Sequence, residues 1–376
     1  MWYSRYYQNN SPHLFKKGKV SIFYGARRVG KTSLIQKLLS NKSSKIFNGS
    51  GDDIELSQIL SSQSEARILS AFKNYDIVFI DEAQEIPNVG KGLKILIDHS
   101  PNMMVIATGS SSFDLSNAVG APLTGRSFTF QLFPISMLEI AAQFGNFEII
   151  KNLENYLIYG TYPEVLSARN KEEKIKYLTT LRNSYLFKDI LSLDNVRNSS
   201  KLIDLLRLIA FQIGHEVSLS ELANNLGIAK QTVARYLDLL EKTFIIKKVS
   251  GFSRNLRKEI NKSQRYYFYD NGIRNAVINN FNPLTMRNDQ GMIWENFLFM
   301  ERLKKQAYQS IYSNNYFWRT YDKKEIDLVE EREGKLFGFE FKYGTKKIKP
   351  PKLWLETYEN ASWEVINSEN FLGFVV

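Results

Sequence analysis

Apolar and polar positions along this chain fall into blocks with different periods. In the first third, three short apolar runs are bounded by polar residues: Val20-Ser21-Ile22-Phe23-Tyr24, Ile77-Val78-Phe79-Ile80 and Met103-Met104-Val105-Ile106-Ala107-Thr108. They predict buried strands of a parallel sheet. Leu34, Ile35 and Leu38 recur at helical spacing after the first. From 137 to about 198 the spacing is helical, carried by Leu153, Tyr156, Leu157 and Tyr159, then by Tyr177, Leu178, Leu181, Tyr185 and Leu186. Gly160-Thr161-Tyr162-Pro163 breaks it. Residues 217–240 predict a helix-turn-helix, with a capping box at Ser218 to Glu221, an apolar face of Leu219, Leu222, Ala223 and Leu226, and a turn at Gly227-Ile228. The second helix turns Val233, Leu237 and Leu240 inward. Wing strands are expected at 244–249 and 266–269, with Arg254, Arg257 and Lys258 between them. The last third predicts an amphipathic helix from Gly291 and strands at 325–329 and 336–342.

At 376 residues the chain is long enough for two or three domains at a prior of roughly 150 residues each. No apolar run approaches the ~18 residues of a membrane span. The start, Met1-Trp2-Tyr3-Ser4-Arg5, lacks the apolar core of a signal peptide, so the expectation is a cytoplasmic protein with no membrane partner. There is no cysteine, and His13, His99 and His215 are scattered, which removes disulfides and thiolate metal sites and leaves oxygen ligands for any metal. A net charge of +11 makes a polyanionic partner such as DNA plausible without identifying it.

The sharpest chemistry lies in Gly25-Ala26-Arg27-Arg28-Val29-Gly30-Lys31-Thr32, which fits G-x-x-x-x-G-K-[ST] between an expected strand and an expected helix. Gly25 and Gly30 let backbone N–H groups close around phosphate oxygens at a helix N-terminus, and Arg28 and Ser33 belong to the same cradle. Lys31 is placed to reach the β- and γ-phosphates of ATP and Thr32 to ligate Mg²⁺. Asp81 ends the second apolar run, where it can hold the Mg²⁺, with Glu82 next to it as general base. Thr108 or Ser110, at the tip of the third run, could bond the γ-phosphate or the water, or simply belong to a serine-rich turn. Arg126, in Pro122-Leu123-Thr124-Gly125-Arg126, is either a surface residue or a finger that stabilises transition-state charge from a neighbouring subunit, which would imply a homo-oligomer.

With GARRVGKTSL, VFIDEAQEIP, ATGSSSFDLS and PLTGRSFTFQLFPIS in place, the chain resembles the AAA+ superfamily, in particular a prokaryotic group of ATPases whose C-terminal region has lacked a defined function. The resemblance implies an α/β P-loop core organised as a three-layer sandwich, a helical lid, a winged helix and a C-terminal α/β domain like that of restriction endonucleases. It gives Asp81, Glu82, Thr108, Ser110 and Arg126 their roles by position. The expected boundaries are 1–136 for the ATPase, 137–198 for the lid or connector, 199–270 for the winged helix and 271–376 for the last domain. One departure stands out: Ile46-Phe47-Asn48-Gly49-Ser50-Gly51-Asp52-Asp53 is glycine-rich where a clear second strand is usual.

Lys230, Gln231, Thr232 and Arg235 lie on the first half of the expected recognition helix and are residue types that read bases and phosphates. Winged helices also dock proteins, and Ala229 supplies no capping oxygen. Further on, Glu340 and Lys342 are two apart on one strand and project from one face, with Phe339 and Phe341 on the other. With Asp327 on the preceding strand they form an acid and an acid-x-lysine, a set suited to phosphodiester hydrolysis with Mg²⁺ shared by Asp327 and Glu340 and with water oriented or deprotonated by Lys342. This resembles the PD-(D/E)xK nuclease superfamily, in which Glu295 matches an acid of the first helix, although Ile326 stands where that motif has proline. The plain alternative is a hairpin with a Glu–Lys cross-strand pair. Lys346, Lys347, Lys349 and Lys352 follow, either gripping a phosphate backbone or forming a solvated loop. The reading is an ATP-hydrolysing, DNA-binding protein that cleaves DNA through a Mg²⁺-dependent C-terminal domain under ATP control. The alternative is an ATP-dependent protein-docking switch built on a silent nuclease-like scaffold.

Overall fold

A computed structural model describes residues 1–10, 14–110, 122–184, 199–254, 264–320, 324–345 and 348–376. The chain divides into two compact units, Ser4–Phe133 with Lys242–Phe244, and Met1–Tyr3 with Pro134–Glu241 and Ile245–Val376.

The first unit is built on five strands, β1 (Val20–Tyr24), β2 (Ile46–Ser50), β3 (Ile77–Asp81), β4 (Met104–Gly109) and β5 (Ser127–Gln131), in the order β2-β3-β4-β1-β5 with every pairing parallel. Helices are α1 (Tyr6–Asn10), α2 (Lys31–Leu39), α3 (Ile54–Ser61), α4 (Glu65–Phe72) and α5 (Val89–His99). Strand alternation sorts the core. Val20, Ile22, Val78, Ile80, Val105 and Ala107 face Leu56, Leu60, Ile68, Phe72, Leu93 and Leu96 of α3 to α5. On the other face Phe23 stacks on Phe130 at 4.9 Å, and Tyr7 of α1 packs edge-on against both rings. The glycine-rich stretch does form a strand, in register with β3 from Ile46↔Ile77 to Ser50↔Asp81. Its glycines reflect crowding: a Cβ on Gly51 would lie 2.2 Å from the Glu82 carbonyl oxygen, and one on Gly49 2.6 Å from Leu56.

The second unit includes α6 (Met137–Phe144), α7 (Asn146–Tyr159), α8 (Pro163–Ser167) and α9 (Lys171–Leu181), so helices follow the spacing expected from 137 as far as Leu181, with the break at Gly160. Tyr185 and Leu186 lie outside the described residues. After α10 (Ser199–Phe211) come α11 (Leu219–Leu226) and α12 (Lys230–Lys242), joined through Gly227 in the left-handed conformation, with Ser218 accepting from the Glu221 N–H as N-cap. Strands β6 (Ile246–Gly251) and β7 (Gln264–Phe268) form an antiparallel pair; Arg257 and Lys258 lie outside the described residues.

That pair belongs to a larger sheet. After α13 (Asn271–Val277) and the 19-residue α14 (Gln290–Tyr308), strands β8 (Asn314–Arg319), β9 (Glu325–Arg332), β10 (Lys335–Phe341) and β11 (Ala361–Ile366) complete the order β11-β10-β9-β8-β6-β7. The junction is a short parallel contact, Ser250↔Tyr316 and Gly251↔Phe317. The expected boundary at 270/271 therefore falls inside one sheet. Tyr267 stacks on Phe299 of α14 at 4.1 Å, and Arg302 of the same helix pairs with the fully buried Glu330 on β9. Among the described residues, no helix is long and apolar enough to cross a membrane.

Candidate functional site

The strand order decides what can meet at the sheet's edge. Because all five strands of the first unit are parallel, their C-terminal ends lie together, and β4 stands between β1 and β3. The phosphate loop leaves β1 at Gly25, whose φ of 148° no L side chain adopts easily and whose absent Cβ would fall 2.0 Å from the Leu132 carbonyl oxygen. Arg28 is exposed, with φ 64°, and Gly30 has φ 94°. No side chain caps α2, which leaves the first-turn N–H groups of Lys31, Thr32 and Ser33 outside the helical ladder, pointing out of its N-terminus.

Lys31 is only 5% exposed, and its Nζ donates to the Gly25 and Ala26 carbonyl oxygens at 3.0 Å each. Burial pulls its pKa down to about 8 against the opposing pull of Glu82 and Asp81, with Arg27 lowering it further. A buried ammonium held only by carbonyls is a site for an anion. Thr32 donates to Asp81 Oδ2 at 2.7 Å, and the Thr108 hydroxyl donates to Asp81 Oδ1 while accepting the Glu82 N–H at 3.1 Å. Thr108 is thus committed to orienting Asp81 and Glu82, which differs from the expectation that it could bond the γ-phosphate. Glu82 sits in the left-handed region at φ 45°, ψ 46°, a conformation costing on the order of 1–3 kcal/mol that here aims the acid after Asp81. Gln84 Nε2 donates to Glu82 Oε2 at 2.6 Å and to Ser110 Oγ at 3.2 Å. This donor set fits Mg²⁺–ATP: a cradle of free amides, a buried lysine, and a hydroxyl and carboxylate already in register for an oxygen-loving cation.

Arg126 does not join them. It precedes β5, whose Ser127 pairs with Val20 at the N-terminal end of β1. A five-residue strand at about 3.3 Å per residue puts it roughly 16 Å from the loop. It is partly exposed and pairs with Asp98 at 2.7 Å. Arg5, by contrast, went unnoticed in the sequence and lies directly behind the loop: it is 3% exposed and donates to the Val29 carbonyl at 2.6 Å and the Phe133 carbonyl at 2.7 Å. A lone arginine in an aromatic segment carries no motif that would have marked it.

The second unit assembles the C-terminal acids. Glu340 pairs with Lys342 at 2.7 Å, and Asp327 accepts the Phe341 N–H at 2.8 Å. Glu295 on α14 accepts from the Tyr267 hydroxyl at 2.7 Å. At their centre is Arg265 of β7, 2% exposed, 2.8 Å from Glu325 and 3.6 Å from both Glu295 and Asp327, with its guanidinium 4.5 Å from the Phe317 ring centre. Neither Arg265 nor Tyr267 was anticipated, because nothing in the sequence shows that β7 shares this sheet. Burial, then the Asp327 charge, pushes Glu295 up to about 8 and Glu340 up to about 7; burial also raises Asp327. Glu340 Oε2 is buried without a hydrogen-bond partner. Among the described residues no group of three or more His, Asp or Glu could by itself hold a metal ion. Asp327 and the orphaned Glu340 oxygen supply two carboxylates, which suits Mg²⁺ only if water and substrate complete its shell, as they commonly do.

On α12, Lys230, Gln231 and Arg235 are exposed and Thr232 is half-buried; Lys349 and Lys352 are exposed, while Lys346 and Lys347 lie outside the described residues.

Residues 17–141 match a family model described as an AAA domain, residues 150–284 a domain of unknown function (DUF8612), and residues 290–366 another (DUF4143). An uncharacterized protein of Methanocaldococcus jannaschii is 25% identical over 337 residues, spanning 84% of this chain and 73% of that one. An uncharacterized protein of Mycobacterium tuberculosis is 24% identical over 330 residues, spanning 87% of this chain and 70% of that one. Among solved structures, a replication initiator DnaA bound to AMPPCP and single-stranded DNA aligns with 63% of this chain and 86% of that one at 15% identity, with a TM-score of 0.30, too slight a likeness to bear on function. The family matches thus support an AAA-type domain over residues 17–141, accompanied by two regions whose family descriptions carry no function.

Two pH effects follow from the buried groups. Lys31 has a folded pKa below its unfolded value of 10.5, so the unfolded chain holds more protons between about pH 8 and 10.5 and nucleotide-free stability rises across that window. Lys31→Met should remove the rise and stabilise the nucleotide-free protein at pH 7 by up to about 3 kcal/mol, read by denaturant unfolding. Glu295 has the opposite sign: its folded pKa lies above 4.5, so its stabilising contribution is complete below pH 4.5 and is lost as pH rises through about 8. Glu295→Gln should flatten the fall in melting temperature between pH 5 and 8; an unchanged slope would remove Glu295 as its source.

Proposed function

We propose that this chain binds and hydrolyses Mg²⁺–ATP in its first unit and uses the nucleotide cycle to control a phosphodiester-cleaving site on DNA in its second. The observation that carries the ATP reading is Lys31, a buried cation bonded to loop carbonyls and set beside Thr32, Asp81 and Glu82. Lys31 and the free amides of the α2 N-terminus hold the β- and γ-phosphates, and Thr32 and Asp81 hold the metal. Mg²⁺ supplies neutralisation of phosphate charge when bound. Glu82 takes the proton of the attacking water, Thr108 fixes the Asp81–Glu82 pair, and Ser110 lines the same edge. Arg126 acts on the nucleotide of a neighbouring copy, because the loop of its own chain lies at the far end of the strands from it.

In the second unit, Asp327 and Glu340 hold the metal, Lys342 orients the water and Glu295 buttresses the cluster. The exposed Lys230, Gln231 and Arg235, with Thr232 beside them, supply DNA contacts. One observation favours the rival reading, a docking switch with a silent acid cluster: Arg265 stands among the carboxylates as a built-in cation.

Glu82→Gln should retain nucleotide binding and lower turnover by about 100-fold or more, whereas normal turnover would dismiss Glu82 as the base. Incubation of the full chain with single-stranded, duplex and branched DNA, with and without Mg²⁺, separates the two readings of the second unit. Cleavage lost in Asp327→Asn and Lys342→Ala supports the nuclease, and intact DNA under every condition supports the switch.

A further inference from the structure

We infer that Gln84 is a catalytic residue of the ATPase, its carbonyl oxygen holding the second hydrogen of the attacking water while its amide nitrogen fixes the Glu82 carboxylate. The inference rests on the reading of Glu82 as general base and adds the partner that reading lacks. A water poised for in-line attack has two hydrogens, and a single carboxylate oxygen accepts only the one it will abstract. Without a second acceptor the water remains free to rotate about that bond.

Gln84 lies on the one-turn helix Ala83–Glu85 that follows Glu82. Its Nε2 is 2.6 Å from Glu82 Oε2, 3.2 Å from Ser110 Oγ and 3.3 Å from Glu85 Oε1. That surrounding fixes which way the amide points. Turned over, it would set a carbonyl oxygen 2.6 Å from a carboxylate oxygen, two acceptors with no proton between them. The orientation shown leaves Oε1 buried and without a hydrogen-bond partner. An orphaned buried acceptor is costly, on the order of 1–3 kcal/mol, and persists where a ligand or water completes it. The location suits a reacting water: Ser110 follows Gly109, which pairs with Tyr24 immediately before the phosphate loop, and Glu82 follows the Asp81 that Thr32 contacts.

In the step itself one water O–H bond breaks and its proton passes to Glu82, while the water oxygen forms a bond to the γ-phosphorus. The bond between that phosphorus and the β,γ-bridging oxygen breaks, with the electron pair leaving on ADP. Glu82 later releases its proton to solvent, so ATP and water give ADP, phosphate and a proton. Gln84 exchanges no proton; it accepts a hydrogen bond from the O–H that stays intact.

The test compares wild type, Gln84→Met, which keeps the side-chain volume and removes both amide groups, and Gln84→Glu, which keeps an acceptor but loses the donor to Glu82. Affinities for ADP and for ADP with aluminium fluoride and Mg²⁺, a mimic of the transition state, are read by fluorescence alongside kcat and KM. Gln84→Met should bind ADP within about twofold of wild type, lose about 10- to 100-fold in kcat with KM little changed, and lose a similar factor in affinity for the aluminium fluoride complex. Gln84→Glu should fall in kcat as well, since its added charge repels Glu82. Wild-type kcat and aluminium fluoride affinity in Gln84→Met would overturn the inference while leaving the ATPase reading intact. A faster Gln84→Met would overturn it too, showing that the amide restrains Glu82. Equal loss of ADP and aluminium fluoride binding would assign Gln84 a structural role only. A wild type with neither turnover nor an aluminium fluoride complex would sink the ATPase reading and this inference together.

Discussion

The carboxylate of Asp81 holds the ATPase edge together. One oxygen accepts from Thr32 at the start of α2 and the other from Thr108 near the end of β4, so a single side chain ties the helix after β1 to the two neighbouring strands. This is possible only because β4 lies between β1 and β3. Swapping the two central strands would carry Thr108 away from both partners. The same arrangement sets Glu82, whose backbone N–H is taken by Thr108 and whose left-handed conformation turns its side chain away from the path that Asp81 follows. Gly51 completes the support, since its N–H donates to the Asp81 carbonyl and its lack of a Cβ admits the Glu82 carbonyl. Of the glycines that obscured β2 in the sequence, Gly51 answers to the acid turn packed against it and Gly49 to Leu56.

Lys31, Thr32, Asp81 and Glu82 were legible because local spacing specifies them: a loop of fixed length between strand and helix, and two acids ending an apolar run. What depended on strand order was not legible. Thr108 sits at a strand tip, open to a phosphate, a water or a plain turn, but Asp81 at the end of β3 takes its proton and the N–H of the following Glu82 donates to its oxygen. Arg126 looked like a finger because an arginine follows a flexible glycine, yet a parallel β5 starts at the end of the sheet remote from the loop. Arg5 left no trace at all. Its role comes from two carbonyl acceptors more than twenty residues away, and no periodicity encodes such contacts.

The two units carry opposite imbalances of buried charge. In the first, Lys31 is an ammonium bonded to neutral carbonyls, which a polyphosphate would complete. In the second, the buried Glu295, Asp327 and Glu340 face Arg265 and Lys342, so carboxylates outnumber cations, and the pKa values of Glu295 and Glu340 are raised by burial first and by the neighbouring Asp327 charge second. A bound proton or a bound cation relieves it equally well in electrostatic terms. Geometry separates the two: Glu295 is already satisfied by Tyr267 and Arg265, whereas one oxygen of Glu340 is not satisfied by anything. Any added cation is therefore drawn to the Asp327–Glu340 side of the cluster.

Arg265 also bears on how the second unit can be divided. A cut at 270 looks natural in sequence, since it falls after a winged-helix pattern and before an amphipathic helix. In the fold it would remove the one guanidinium that Glu295, Glu325 and Asp327 share, together with the hydroxyl that bonds Glu295. Breaking a buried pair by deleting one partner costs about 3–5 kcal/mol because the remaining charge stays buried and uncompensated. Two further ties lie upstream: Val217 donates to the Gln264 carbonyl at 2.8 Å, and Glu216 pairs with Arg319 of β8 at 3.1 Å. The acid cluster is therefore assembled from strand β7, helix α14 and strands β9 and β10 at once. Residues 230–241 of α12, which would contact DNA, and the segment that carries the acids belong to one compact unit, and a fragment beginning at 271 lacks the Arg265 guanidinium that Glu295, Glu325 and Asp327 face.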